Sequence, residues 1–268
     1  MARVRIAAVQ MVSVPEVAPN LEAARRLVAQ AAHEGAQLVA LPEYFCVLGR
    51  HETDKLKLRE RDGAGPIQDA LAEMAQRHRL WLVGGTVPIA CADPARVRSA
   101  CLVYDSAGRR VARYDKMHLF TFHAGAERYD ETRTIEPGDA PITLESPFGR
   151  LGLSVCYDLR FPELYRRCGN VDLWFVPSAF TAVTGAAHWE TLLRARAIEN
   201  LCYVVAPAQG GLHANGRRTH GHSMVVDPWG EVLAERAEGE GVVLAEVDAG
   251  RLAEVRQSLP ALDNRRLT

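Results

Sequence analysis

The sequence predicts a single α/β domain in which two β-sheets face one another and helices cover their outer sides. Three observations lead there. Apolar runs of β type and amphipathic runs of helix type alternate from the first residues onward. The strands carry apolar residues on both faces and are joined by helices and by hairpins, which requires mixed rather than purely parallel sheets. No composition break, long linker, internal repeat or low-complexity tract divides residues 1–268, and such architectures reach about 250 residues as one unit.

Each element has its own local reason. "RVRIAAVQM" is an apolar β-type run. "NLEAARRLVAQAAHEGA" follows as a helix, with Asn20 placed to cap it and Leu21, Ala24, Val28 and Ala31 on one face. Glu22 and Arg26 are spaced to pair on its wet side, and Gly35 stops it. "QLVALPEY" is a strand ended by Pro42. Residues 51–66 are polar and charged and read as an exposed excursion. "IQDALAEMAQRHR" is an amphipathic helix and "LWLVGGTVPIA" a strand. "SACLVYDSAGRRVARYDKMHL" is a hairpin turning at Ser106-Ala107-Gly108, and 121–142 read as charged loop. The run "LGLSVCYD" is a strand, followed by a short helix from Pro162 and the strand "VDLWFVPSAF". The helix "HWETLLRARAIENL" precedes the strand "CYVVAPAQG". A final hairpin turns on Pro228-Trp229-Gly230, and "GVVLAEVD" leads into a last amphipathic helix.

Composition narrows the function. Hydrophobic residues make up 48% of the chain and charged residues 24%, as in an ordinary globular protein rather than a disordered one. The formal net charge is −1 and Lys and Arg are scattered, so there is no basic stripe to follow a phosphate backbone, and nucleic acid is not an expected partner. No apolar stretch approaches the roughly 20 residues of a membrane span, and the opening segment is too interrupted for a signal peptide, so a cytoplasmic protein is expected. Six cysteines are widely spread and none forms a C-x-x-C pair, so they are expected as free thiols, most of them packing residues. No Walker loop, G-x-G-x-x-G or G-x-S-x-G occurs, and no cofactor is expected.

Three strands end in the same style. "LVALPEYF" ends on Glu43, "RVARYDKMHLF" carries Lys116, and "LGLSVCYD" ends on Cys156. If these strands are neighbours, a carboxylate, an ammonium and a thiol converge on one rim. A cysteine of ordinary pKa, about 8.5, is only slightly ionised at neutral pH and needs a base or a cation to become a nucleophile. A desolvated Glu43 can take its proton, Lys116 can stabilise the oxyanion formed on attack at a carbonyl, and the backbone N–H of Tyr157 is a natural second donor. Each has a plainer reading: Glu43 as a solvated strand-end carboxylate, Lys116 as a surface lysine, Cys156 as packing. Their shared context favours the chemical one.

The segments "LPEYF", "YDKMHLF" and "GLSVCYDLRFPEL", in this order, resemble the signature segments of the nitrilase superfamily of carbon–nitrogen hydrolases. "YDETRTIEPGD", "PSAFTAVTGAAHWETLLRARAIENLCYVVAPAQ" and "GHSMVVDPWGEV" are similar to its Nit-type amidases. The resemblance implies a four-layer α-β-β-α sandwich, a Glu-Lys-Cys triad at Glu43, Lys116 and Cys156, and a thioester intermediate. It also implies a second glutamate that holds the lysine, at Glu131 with Glu127 as competitor. A homodimer or higher homo-oligomer is implied as well. The activity it implies is hydrolysis of a small carboxylate-bearing amide. Deaminated glutathione is the favoured substrate, with 2-oxoglutaramate as the omega-amidase alternative and nitrile or carbamoyl substrates further off. The loop "GGLHANGRRTHGH" is where such branches would diverge.

Other residues carry weaker signals. Arg160 can meet a substrate carboxylate as a bidentate partner or pair with Glu163 or Asp158; Arg217 and Arg218 are weaker candidates for the same task. His213, His220 and His222 lack a completing carboxylate or thiol at metal-ligand spacing, so an exposed loop entering a strand is expected there and no metal. Arg194 and Arg196 read as structural, Trp174 and Trp189 as core. A Cys-His hydrolase lacks its small-residue elbow around the cysteine, and a non-catalytic interaction protein on the same fold would not need all three of Glu43, Lys116 and Cys156.

Overall fold

The computed structural model describes residues 3–124 and 127–267. The first sheet begins with β1 (Val4–Gln10), leads through α1 (Val17–His33) to β2 (Leu38–Leu41), and through α2 (Asp54–Lys57) and α3 (Pro66–His78) to β3 (Trp81–Gly84). It continues with β4 (Val87–Ala90), β5 (Val97–Tyr104) and β6 (Arg110–Asp115). A separate hairpin, β7 (Thr121–Ala124) and β8 (Glu127–Asp130), then leads to the second sheet. That sheet comprises β9 (Ile142–Ser146), β10 (Gly149–Leu153), β11 (Leu173–Phe175), β12 (Tyr203–Ala206), β13 (Ser223–Val226) and β14 (Val232–Arg236). The chain returns to the first sheet as β15 (Gly241–Val247). Helices α4 (Pro162–Arg167) and α5 (Ala182–Asn200) join strands of the second sheet, and α6 (Ala249–Ser258) follows β15.

The first sheet runs β15-β1-β2-β3-β5-β4, with β6 also on β5; the second runs β14-β13-β12-β11-β10-β9. Both have a parallel centre, β1-β2-β3 and β10-β11-β12, flanked by antiparallel strands. The alternation along β1 shows why the layers form. Ile6 and Ala8 join the core shared with the second sheet, whereas Ala7 and Val9 pack with α1 and α3. On the far side, Trp174 of β11 lies in one core with Trp189, Leu193 and Ala197 of α5, and both tryptophans are buried as expected. The layers are helix, sheet, sheet, helix: the α-β-β-α sandwich.

Several local expectations are corrected. Helix α1 starts at Val17, so Asn20 lies a turn inside it rather than at its cap. Its amide instead accepts from Val14 N (2.8 Å) and donates to Val14 O (2.7 Å) and Cys46 O (3.0 Å), tying helix to loop. Arg26 pairs with Glu240 at 2.6 Å rather than with Glu22. The run "LWLVGGTVPIA" is two strands broken at Gly85. Residues 51–66 are not simply exposed: Lys55 and Glu60 are buried, and Glu60 accepts from Gln68 N (3.1 Å) at the start of α3, where the preceding Gly65 has no side chain to cap it. The stretch 121–142 is not loop throughout, since it contains β7, β8 and a 3₁₀ turn at Glu131–Arg133. Among the described residues no helix is long and apolar enough to cross a membrane.

Candidate active site

Four chain turns deliver the site, and each lies just beyond a strand. Glu43 follows β2 across Pro42, where the chain must pass close to the β3–β4 break. Gly85 makes that approach possible: its φ is +58°, and a Cβ there would stand 2.1 Å from Pro42 O. Gln209 donates to Glu43 O at 3.0 Å and fixes the turn. Lys116 follows β6, its N–H donating to Ser99 O (3.0 Å) and its carbonyl accepting from Gly138 N (2.8 Å). Glu131 opens the 3₁₀ turn after β8, its N–H donating to Phe120 O at 3.0 Å.

Cys156 is not on the strand. β10 ends at Leu153, and Cys156 opens a 3₁₀ turn (Cys156–Arg160) with a left-handed φ of +49°, unusual for a residue with a Cβ. Such backbone costs on the order of 1–3 kcal/mol and persists only where neighbours enforce it. Asp158 is one of them: wholly buried, it accepts from Val155 N (2.8 Å), Tyr114 Oη (2.7 Å) and His118 N (2.9 Å), with His118 Nδ1 at 2.7 Å. Arg196 of α5 is the other, its guanidinium donating twice to Leu159 O at 2.7 and 3.0 Å. Arg196 is structural, as expected, and what it braces is the turn carrying the thiol. Arg194 is structural too, donating to Gly230 O at 2.8 Å.

The four side chains meet. Lys116 Nζ donates to Glu43 Oε1 at 2.7 Å and to Glu131 Oε2 at 2.7 Å, with Oε1 at 3.0 Å. The Cys156 thiol interacts with the Glu43 carboxylate. Glu43 is 1% exposed and Lys116 not at all, which removes the solvated readings of both. Glu127 is in β8, but its side chain lies outside the described residues.

The two carboxyls that share Lys116 shift in opposite directions, for a reason the contacts make plain. Burial, against the pull of Lys116 and with the added push of the Glu131 charge, raises the Glu43 pKa. Burial also works against ionised Glu131, yet Lys116 and then Lys55 hold its carboxyl below the ordinary range. Glu131 additionally accepts from Tyr44 Oη (2.7 Å) and Phe120 N (2.7 Å), and donors to the charged form favour it. Glu131 is therefore the more acidic of the two carboxyls and Glu43 the more basic. Burial works against the charge of Lys116, but Glu131 and then Glu43 outweigh it and raise its pKa. Burial, and then Glu43, push the Cys156 thiol well up, against the pull of Lys116. The resting arrangement is thiol, carboxylate and ammonium. It can supply nucleophile, base and oxyanion partner for acyl transfer, with the Lys116 ammonium held at rest by Glu43 Oε1 and both Glu131 oxygens.

A cleft of about 200 Å³ opens at the thiol, lined among others by Phe120, Tyr157, Arg160, Phe180 and Thr181. The Tyr157 N–H lies in the first turn of a 3₁₀ segment, where no carbonyl within the turn can accept it. Arg160 pairs with neither Glu163 nor Asp158. It lies over the rings of Tyr157 (5.7 Å) and Phe180 (5.3 Å) and meets His188 Nδ1 at 3.2 Å. Arg218 is in an exposed pair with Glu238 at 2.9 Å, away from this role. His213 is buried rather than exposed, held between Ser13 O (2.9 Å) and Thr219 Oγ1 (2.8 Å), while His220 and His222 stack at 4.2 Å. Among the described residues no group of three or more His, Cys, Asp or Glu could hold a metal ion.

Sequence reasoning missed Tyr44, His118 and Asp158 as parts of this machinery. Tyr44 and His118 stand inside the quoted motifs, directly after Glu43 and two residues after Lys116, and that adjacency was the available signal.

Comparison with known proteins identifies the family. The family model for carbon-nitrogen hydrolases matches residues 5–257. A deaminated glutathione amidase of Synechocystis is 44% identical over 265 residues, spanning 97% of both chains. An omega-amidase of Xenopus tropicalis is 35% identical over 99% of this chain and 96% of its own. The crystal structure of Saccharomyces cerevisiae Nit3, a member of branch 10 of the nitrilase superfamily, superposes with a TM-score of 0.89 at 30% identity, over 99% of this chain and 97% of that one. Sequence and architecture thus converge, and the chain belongs to the carbon–nitrogen hydrolase family of the nitrilase superfamily.

Proposed function

We propose that this protein is a cysteine-dependent amidase that cleaves deaminated glutathione through a thioester on Cys156. The observation that carries the mechanism is the buried Lys116 ammonium held between Glu43 and Glu131 beside the Cys156 thiol. As Sγ attacks the amide carbon, Glu43 takes the thiol proton, and the carbonyl oxygen, now an oxyanion, is met by Lys116 and the Tyr157 N–H. The C–N bond breaks, and the amine leaves with the proton Glu43 held. Water then attacks the thioester carbon, Glu43 accepts its proton, and the C–S bond breaks to release the acid as the thiol regains that proton. Glu131 acts by positioning Lys116. Base, electrophile and nucleophile are all side chains, so the chemistry requires no metal and no cofactor.

The substrate is supported by the deaminated glutathione amidase relative. Arg160 at the mouth of the cleft suits the carboxylate of the 2-oxo acyl part. The chain works as one catalytic unit over residues 1–268. A homodimer is supported by Val183 and Ile198 on α5 and Trp229 beside it, apolar side chains 44–58% exposed. The six cysteines are unpaired, as suits a cytoplasmic enzyme. The test is a panel of deaminated glutathione, 2-oxoglutaramate and simple nitriles with amine or ammonia detection. A higher kcat/KM for deaminated glutathione is expected. A preference for 2-oxoglutaramate would make the protein an omega-amidase, and turnover of nitriles alone would remove it from the amidases.

A further inference from the structure

Arg217 is a cation held in place with one buried donor unmet among the described residues. Its Nε is buried and has no hydrogen-bond partner among the described residues, and there no carboxylate lies within ion-pair distance of it. A buried unsatisfied donor in an otherwise satisfied structure calls for an explanation. The side chain is not adrift: Nη2 donates to Ala179 O, and the guanidinium lies over the Tyr129 ring at 4.9 Å. Its loop is fixed as well. His213 N donates to Arg217 O (2.9 Å), Arg217 N donates to Asn215 Oδ1 (2.9 Å), and Asn215 Nδ2 donates to Gly49 O (2.9 Å). The neighbouring Arg218, by contrast, is exposed and paired.

The position of Arg217 limits what could meet that donor. Ala179, which its Nη2 meets, lines the cleft at Cys156. On its other side Arg217 lines a second hollow of about 330 Å³ with Tyr44, Lys55 and Asn215 among the other walls. Lys55 is already committed to Glu52 (2.7 Å) and Thr134 Oγ1 (3.3 Å), so the unpaired charge there is that of Arg217. Deaminated glutathione carries two carboxylates, one on the 2-oxo acyl part and one on the terminal glycine of the departing dipeptide. In 2-oxoglutaramate the leaving group is ammonia, and the second carboxylate does not exist.

Resting on the amidase reading above, we propose that Arg217 is a specificity-determining residue that binds the carboxylate of the departing amine, with the leaving dipeptide lying in the hollow beside Tyr44 and Asn215. Arg160 and Arg217 then read opposite ends of one substrate. Preference for a peptide-like amide over a primary amide follows from the second contact. A rival role is purely electrostatic, in which Arg217 offsets the excess of Glu43 and Glu131 over Lys116. The two roles predict different kinetics.

The experiment compares kcat/KM for deaminated glutathione, its C-terminal glycinamide analogue and 2-oxoglutaramate, in wild type, Arg217→Met and Arg217→Lys. Wild type should prefer the free acid over the glycinamide by about tenfold or more, chiefly through KM, as a charge-assisted contact implies. Arg217→Met should bring that ratio near one, and Arg217→Lys should retain part of it, with melting temperature confirming that both variants fold. Equal turnover of acid and glycinamide by wild type overturns the inference and needs no variant. An equal loss on all three substrates in Arg217→Met, with a displaced pH profile, overturns it in favour of charge balance. If wild type hydrolyses 2-oxoglutaramate but neither peptide amide, the substrate reading fails first and this inference falls with it.

Discussion

Glu131 gives the sharpest perturbation of the site, because replacing it with glutamine keeps its shape and changes its chemistry. Its carboxylate takes donors on both oxygens: Lys116 and Tyr44 Oη at Oε1, and Lys116 and Phe120 N at Oε2. Glutamine puts an N–H₂ at one of those positions, so whichever way it turns, a donor faces the Lys116 ammonium. Breaking one side of a buried ion pair costs about 3–5 kcal/mol. The isosteric amide keeps one acceptor, so Glu131→Gln belongs near 3 kcal/mol, which for a chain of this size lowers Tm by about 6–12 °C. Activity should fall further than stability suggests. With Lys116 released from one anchor, the oxyanion loses a positioned donor, an effect of about 10²–10³ in kcat.

The same substitution has a signature that mere loosening would not produce. Glu131 raises the pKa of Glu43 through its charge, and Lys116 lowers it. Removing the Glu131 charge gives Glu43 a larger share of Lys116, so the acid limb of kcat/KM should move to lower pH. Denaturation, single-substrate kinetics and a pH profile test all three expectations. A kcat within threefold of wild type, with an unmoved acid limb, would refute the idea that Glu131 positions Lys116.

Two further predictions follow from the electrostatics and the donor set. Glu43 acts as a carboxylate, and burial raises its pKa, so kcat/KM should rise with pH through a limb above the ordinary carboxyl value of 4.5 and then level off, with Cys156 still a thiol; a limb at or below 4.5 would contradict Glu43 as the base. The stability contributions run oppositely: the raised Glu43 pKa costs stability as pH rises through it, while the lowered Glu131 pKa adds stability above the unfolded carboxyl range that is lost as pH falls through its folded value. Dialysis against a strong chelator should leave the rate unchanged, and a loss restored by zinc would contradict a metal-free mechanism.

What the sequence made legible was local. Glu43, Lys116 and Cys156 each stand just past an apolar run, and a run followed by a charge is visible in a short window. The two-sided apolar character of the strands likewise foretold a sheet covered on both faces. What stayed hidden depends on distant partners. Asp158 reads as one charge in a charged stretch, and only the fold brings Tyr114 and His118 onto it. Lys55 and Glu60 sit in a polar segment, and nothing nearby in sequence reveals that they are buried against Thr134 and the start of α3. Asn20 has the right residue type for a cap, but the loop carbonyls of Val14 and Cys46 competed for its amide. The β7–β8 hairpin was masked by its charges, which outweighed its alternation.

The central claim is that Cys156 carries the acyl group, and acid quenching during steady-state turnover of deaminated glutathione tests it most directly. Intact mass should rise by the mass of the substrate less that of the departing amine, mapping to the peptide that contains Cys156. Cys156→Ala should show neither adduct nor turnover while keeping the wild-type melting temperature. An adduct on Cys46, Cys168 or Cys202, or turnover persisting in Cys156→Ala, would contradict the account.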